Sequence, residues 1–174
     1  ESMTMGDRIV VMKDAFIQQV DTPQNLYEKP CNEFVAGFMG SPQMNFIDAT
    51  VGKKGENFVL NFGGNTIVIP NDKAKGTSLE KYVGKEVTFG IRPEDVHDEA
   101  EFLETHQDST VMAKVEVTEL MGAEIYLYLN VEGSAVTARV DPTSTAKAND
   151  TIKVAFAMNK MHLFDKETEQ AILN

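Results

Sequence analysis

The chain has 174 residues, enough to bury a core without metal or disulfide staples, and its 27 Asp and Glu against 16 Lys and Arg give a formal net charge of −11. That balance argues against nucleic acid as a partner, because backbone binding depends on cations that displace counterions from phosphate. Cys31 is the only cysteine, which excludes an internal disulfide framework and suits a reducing, cytosolic compartment; the apolar runs at 9–12 and 125–129 are too short to span a hydrocarbon layer of roughly 30 Å, and no leader is expected.

In chain order, a β-type run at 7–12, a turn at Lys13-Asp14-Ala15 and a second run at 16–20 predict a hairpin. The tight turn predicts a positive φ at Ala15, a strained conformation for a residue with a Cβ. Thr22 followed by Pro23 starts a short helix that ends before Pro30. Asn32 caps a second, carrying Phe34, Val35 and Phe38 and stopping at Gly40. Gly40-Ser41-Pro42 is a break, and the pattern then changes from helical to alternating.

From Phe46 onward β signals recur at 46–51, 57–62, 66–70, 86–91, 111–121, 124–131, 135–140, 152–158 and 161–164, separated by Gly and Asn-Asp turns, with one helix near 78–83. A closed or sandwiched antiparallel β-domain is the natural solution, as one barrel or as two small ones. Strict alternation at Val111, Ala113, Val115 and Val117, and again at Ile125, Leu127, Leu129 and Val131, predicts one buried and one wetted face for each strand. Between them, residues 94–108 hold seven acids and no Lys or Arg, which predicts a mobile, solvated connection tacked down only by Phe102 and Leu103.

No catalytic, cofactor or metal residue emerges. ATP chemistry needs a Gly-rich loop ending in Gly-Lys-Ser/Thr, and Gly52-Lys53-Lys54-Gly55 has the wrong order and spacing. His97, His106 and His162 lack metal-ligand spacing; the first two lie in the acidic stretch, where a solvated loop is preferred to a divalent cation site. Glu124 has no second carboxylate with which to share acid and base roles, and reads as the end of a turn after Gly122. Arg92 in Arg92-Pro93-Glu94 could clamp a carboxylate or phosphate, but a structural arginine holding turn carbonyls is the preferred reading.

The strings at 1–12, Thr22-Pro-Gln-Asn-Leu-Tyr27, Phe34-Val-Ala-Gly-Phe38, Gly40-Ser-Pro-Gln-Met-Asn-Phe46, Phe89-Gly-Ile-Arg-Pro-Glu-Asp-Val96 and Glu119-Leu-Met-Gly-Ala-Glu124 together resemble the maltose-type and multiple-sugar-type ABC importer ATP-binding subunits. The resemblance implies a mainly β fold: an OB-like (TOBE) β-barrel regulatory domain at 46–174, preceded by a linker at 41–45 and by a hairpin and two short helices, residues 1–40, from the end of the ATPase domain. Every nucleotide motif would lie upstream, so ATP and Mg²⁺ would belong to the full-length protein and not to this chain. It further implies a peripheral protein on the cytoplasmic face of the membrane, which forms a homodimer through the β-domain, pairs with permease subunits through the upstream part and receives signals from a cytosolic regulator. The linker motif is Gly40, Ser41, Pro42, Met44, Asn45 and Phe46; the candidate regulatory or dimer surface is Arg92, Pro93, Glu94, Gly122 and Glu124, with the loop bearing Gly133. Ala15 stands where the family usually has Gly, and the acidic stretch matches no family motif. A module sensing a sugar or oxyanion between β-barrel loops is the alternative reading.

Overall fold

The computed structural model describes residues 7–174; the first six residues of the opening string in the resemblance lie outside them. Strands β1 (Ile9–Lys13) and β2 (Phe16–Asp21) pair antiparallel around the two-residue turn Asp14-Ala15, with φ of 51° and 67°. Two successive left-handed residues match the right-handed twist of the flanking strands, and the positive φ expected at Ala15 is present. Helix α1 (Pro23–Glu28) begins where the Thr22 side chain accepts the Asn25 N–H at 3.2 Å; α2 (Glu33–Phe38) begins where Asn32 accepts the Val35 N–H at 2.9 Å. Val11, Leu26, Val35 and Met39 close a small core under the hairpin.

The rest is β3 (Asn45–Lys54), β4 (Asn57–Phe62), β5 (Asn65–Val68), α3 (Asn71–Ala74), β6 (Glu86–Ile91), β7 (Val96–His97), α4 (Ala100–Thr105), β8 (Thr110–Leu120), β9 (Ile125–Val131), β10 (Ser134–Val140), β11 (Thr151–Phe156), β12 (His162–Asp165) and β13 (Ala171–Leu173). A six-stranded antiparallel sheet, ordered β13-β12-β6-β3-β4-β5, curls into a near-closed OB/TOBE-like barrel, and a five-stranded sheet, ordered β10-β9-β8-β11-β7, packs on it. One core runs through both, centred on Phe62, Phe89 and Phe156; the last two meet edge to face at 5.5 Å and 89°. Such a pair adds about 1 kcal/mol to what burial alone contributes.

Three sequence expectations change. Val117 is 51% exposed, although the alternation placed it inward: Val115 pairs with Leu129 and Val117 with Tyr128, so Glu116 is an extra residue in β8 and everything after it changes face. The helix expected near 78–83 is a 3₁₀ turn, Leu79–Tyr82, and α3, α4, β7 and β13 are too short to have left a periodic signal.

The acidic stretch is the third, because it is folded. Val96 and His97 pair with Phe156 and Ala155, the Ala157 N–H donates to the Asp95 carbonyl at 2.9 Å, and Ser109 Oγ donates to the Phe156 carbonyl at 2.8 Å. Phe102 lies between the rings of His97 and His106, with centroids 3.9 and 3.7 Å away. Counting like charges predicted mobility; the spaced rings and the buried Pro93 and Val96 outweigh the charges, which stay half-buried or exposed.

Candidate functional site

The junction between α1–α2 and the β-domain is organised by Arg92, at the end of β6. It is the largest fully buried side chain, 2% exposed, and it reaches back across the break in the chain: Nη1 donates to the Met39 carbonyl at 2.7 Å and Nη2 to the Tyr27 carbonyl at 2.8 Å. Its guanidinium lies 3.8 Å from the centroid of the Tyr27 ring, a cation–π contact. Burial lowers its pKa to about 10, still charged at neutral pH, and its Nε is buried without a hydrogen-bond partner. Arginine is the cation best suited to such a place, being weakly hydrated and able to span two acceptors with one rigid fork. The preferred structural reading of Arg92 is what the geometry has, whereas its inclusion among surface residues is corrected: Arg92 and Pro93 are both buried.

The linker motif supplies the matching parts. Gly40, at the C-terminal end of α2, has φ of 96°, and a Cβ there would stand 2.9 Å from Arg92 Nη1, so both the turn and the close approach require glycine. Met44 is buried with Ala36 and Phe164, and Phe46 meets Phe164 at 6.1 Å. Asn45 acts as a surrogate strand residue: its Nδ2 donates to the Thr137 carbonyl at 2.9 Å, and its Oδ1 accepts the Thr137 N–H at 2.8 Å, tying the start of β3 to β10. Ser41 is exposed and Pro42 half-buried between these anchors.

A polar chain continues outward. The Tyr27 hydroxyl donates to Glu94, Glu94 lies 4.0 Å from Arg139 Nη2, and Arg139 Nε lies 3.2 Å from Glu124. Arg139 and Tyr27 are the members the sequence reading missed, since nothing local distinguishes them. Gly122 sits apart, at the β8–β9 tip with φ of 76°, beside Leu120 and Met121, which are 78% and 47% exposed. Gly133, φ 94°, turns the chain between β9 and β10. His97 is held by Glu99 at 3.0 Å and His106 by the Phe102 carbonyl at 3.0 Å, while His162 is buried against Asn174. Among the described residues no group of three His, Cys, Asp or Glu side chains is placed to hold a metal ion.

These features define a class, an OB/TOBE-type β-domain fused to a hairpin and two helices by an arginine staple. Two family models match in succession, the MalK OB fold domain over residues 40–96 and the TOBE domain over residues 89–164. Over 172 residues the chain is 45% identical to the oligosaccharides import ATP-binding protein MsmX of Bacillus subtilis, covering 99% of this chain and 46% of that protein. It is 42% identical over 174 residues to the trehalose/maltose import ATP-binding protein MalK of Thermococcus litoralis, covering 99% and 46%. It is 40% identical over 182 residues to the multiple sugar-binding transport ATP-binding protein MsmK of Streptococcus mutans, covering 99% and 48%. The cytoplasmic molybdate-binding protein ModG shares the fold alone, with a TM-score of 0.52 and 17% identity over 68% of this chain and 94% of that one.

The chain belongs to the sugar-type ABC transporter ATP-binding subunits of the MalK, MsmX and MsmK kind, and it holds their C-terminal TOBE/OB-fold region. It spans under half the length of the curated relatives it matches, and the Walker A and signature part of the ATPase lies outside it.

Proposed function

We propose that the chain is the regulatory and dimerisation region of the ATP-binding subunit of a carbohydrate importer. On this reading residues 1–40 end the nucleotide-binding domain, 41–45 connect and 46–174 regulate. The relatives' names, which speak of oligosaccharides, of trehalose and maltose and of multiple sugars, support a sugar as cargo. The full-length subunit would use ATP and Mg²⁺ through its ATPase part, lie at the cytoplasmic face of the membrane against permease subunits, work as a two-fold pair and receive a cytosolic regulator.

The observation that carries the reading is an apolar face left open on an otherwise packed hairpin. Val10 pairs with Val20 and Met12 with Ile17, and these four are 50%, 41%, 53% and 62% exposed, while Val11 beneath them is buried. A two-stranded ribbon with such a face needs a partner, and the ATPase part of the parent chain is the natural cover. A second open patch, Val117, Leu120 and Met121, sits at the β8–β9 tip that bears Gly122, and supports self-association there. Regulation requires that this contact differ between the open and closed states of the paired ATPases.

Sedimentation velocity across a concentration series tests the pairing. The chain should dimerise weakly, with an interface at or below the standard size of about 1,600 Å², and Leu120→Glu should abolish it. A monomer throughout the series would overturn dimerisation through the β-domain.

A further inference from the structure

Beside Tyr27 and Arg92 lies an open cavity of about 380 Å³ between the end of α1 and the β-domain. Its charged lining is unusual for a protein of net charge −11: Lys29, Lys73, Arg92 and Lys160 face two carboxylates, Glu28 and Asp95. Among the described residues none of these three lysines has a carboxylate within 4.0 Å, and Arg92 spends its two outer nitrogens on neutral carbonyls. Four cations therefore meet two carboxylates, and among the described residues the three lysines are committed to no ion pair.

We propose that this cavity is a binding site for a small phosphate-bearing dianion, with Lys73 and Lys160 as its principal cationic contacts and Lys29 at its rim. The two lysines approach from different elements, α3 and the 3₁₀ turn Met158–Lys160, so they can converge on one group from two directions. The volume falls within the roughly 300–1,000 Å³ of small-molecule sites, and the lining is mainly polar, which suits a phosphate ester of a small polar metabolite as well as free phosphate. Neighbouring charges already register the strain. Burial and the charge of Lys160 lower the pKa of Lys73, and burial together with the charges of Arg92 and Lys73 brings His162 down to about 4. A bound dianion would relieve both, because an opposite charge favours the protonated form of each. The site borders Tyr27 and Arg92, so its occupancy bears on the junction, yet it stands apart from the dimerisation reading and holds whether or not the chain pairs.

Isothermal titration calorimetry on the whole chain, with inorganic phosphate, a hexose phosphate and the same hexose unphosphorylated, tests the proposal. Saturable binding with a Kd of about 1 mM or tighter is expected for a phosphate-bearing probe and none for the free hexose. Tighter binding of the hexose phosphate would name a phosphate ester as the natural source, and tighter binding of inorganic phosphate the free ion. Lys160→Gln, at an exposed position, and Lys73→Gln should each weaken binding about tenfold, whereas Lys53→Gln, paired with Glu80 elsewhere, should leave it unchanged. In parallel, the imidazole resonances of His162 should titrate at higher pH when the probe is present. No saturation up to about 10 mM, or equal affinity in the two lysine variants and the unaltered chain, would overturn the site.

Discussion

The two faces of the N-terminal piece differ in how far they are finished. Its inner face is closed: Arg92 caps the carbonyls of Met39 and Tyr27, Met44 and Phe164 bury Ala36, and Asn32 forms a bridge to Gln170. Its outer face, the Val10–Val20 and Met12–Ile17 pairs, is apolar and open. The contrast teaches that the junction is built to be rigid within this chain, whereas the hairpin is built to meet something else. A six-residue helix such as α2 is not stable alone, so its order must come from the closed side.

The largest test of the closed side is Arg92→Ala. It removes two charge-assisted hydrogen bonds and strands two carbonyls, so chemical denaturation should show a loss of about 4 kcal/mol; a loss below about 1 kcal/mol would mean that the staple is ornamental. Next comes a pH effect at the same junction. Burial lowers His162 from 6.5 to about 4, so its stabilising contribution is complete above 6.5 and is lost as pH falls toward 4. Burial, then the charge of Glu94, raises Asp95 from 3.8 to about 6, and its contribution runs the other way, complete below 3.8 and lost as pH rises to 6. The two nearly cancel in the unaltered chain. Asp95→Asn should therefore unmask acid sensitivity on the order of 3 kcal/mol between pH 6.5 and 4, read from urea midpoints. A flat profile in that variant would contradict the burial of His162.

Asn45→Ala should cost about 2 kcal/mol by the same measure, for the two bonds to Thr137 that join β3 to β10. At the hairpin, Ala15→Gly should raise stability by about 1 kcal/mol, since glycine occupies a φ of 67° without a Cβ clash. Unchanged or lower melting would show that the turn carries no strain.

How much of this could be read beforehand depends on how local the signal is. Strands β4 and β6 were legible to the residue because turn signals bound them on both sides. Val117 was misplaced because a bulge at Glu116 leaves no mark in an alternating sequence. The acidic stretch does not betray its order because what holds it, the pairing of β7 with β11 and the Ser109 bond to the Phe156 carbonyl, reaches to residues far along the chain. Arg92 could be recognised as a carbonyl-holding residue, but its partners lie 53 and 65 residues away, and the cationic cavity draws on five separate stretches of chain. Family strings and the Arg92-Pro93 turn mark the junction; only coordinates name its partners.

Native-state hydrogen exchange tests the central claim, that tail and β-domain form one rigid unit on the closed side. The Ala36 and Met39 amides, bonded to the Asn32 and Val35 carbonyls at 3.1 Å, should open with free energies within about 1 kcal/mol of those in β6, and both sets should fall together in Arg92→Ala. Rapid exchange throughout α2 while β6 stays protected would instead make the break at Gly40 a hinge, and would contradict the account.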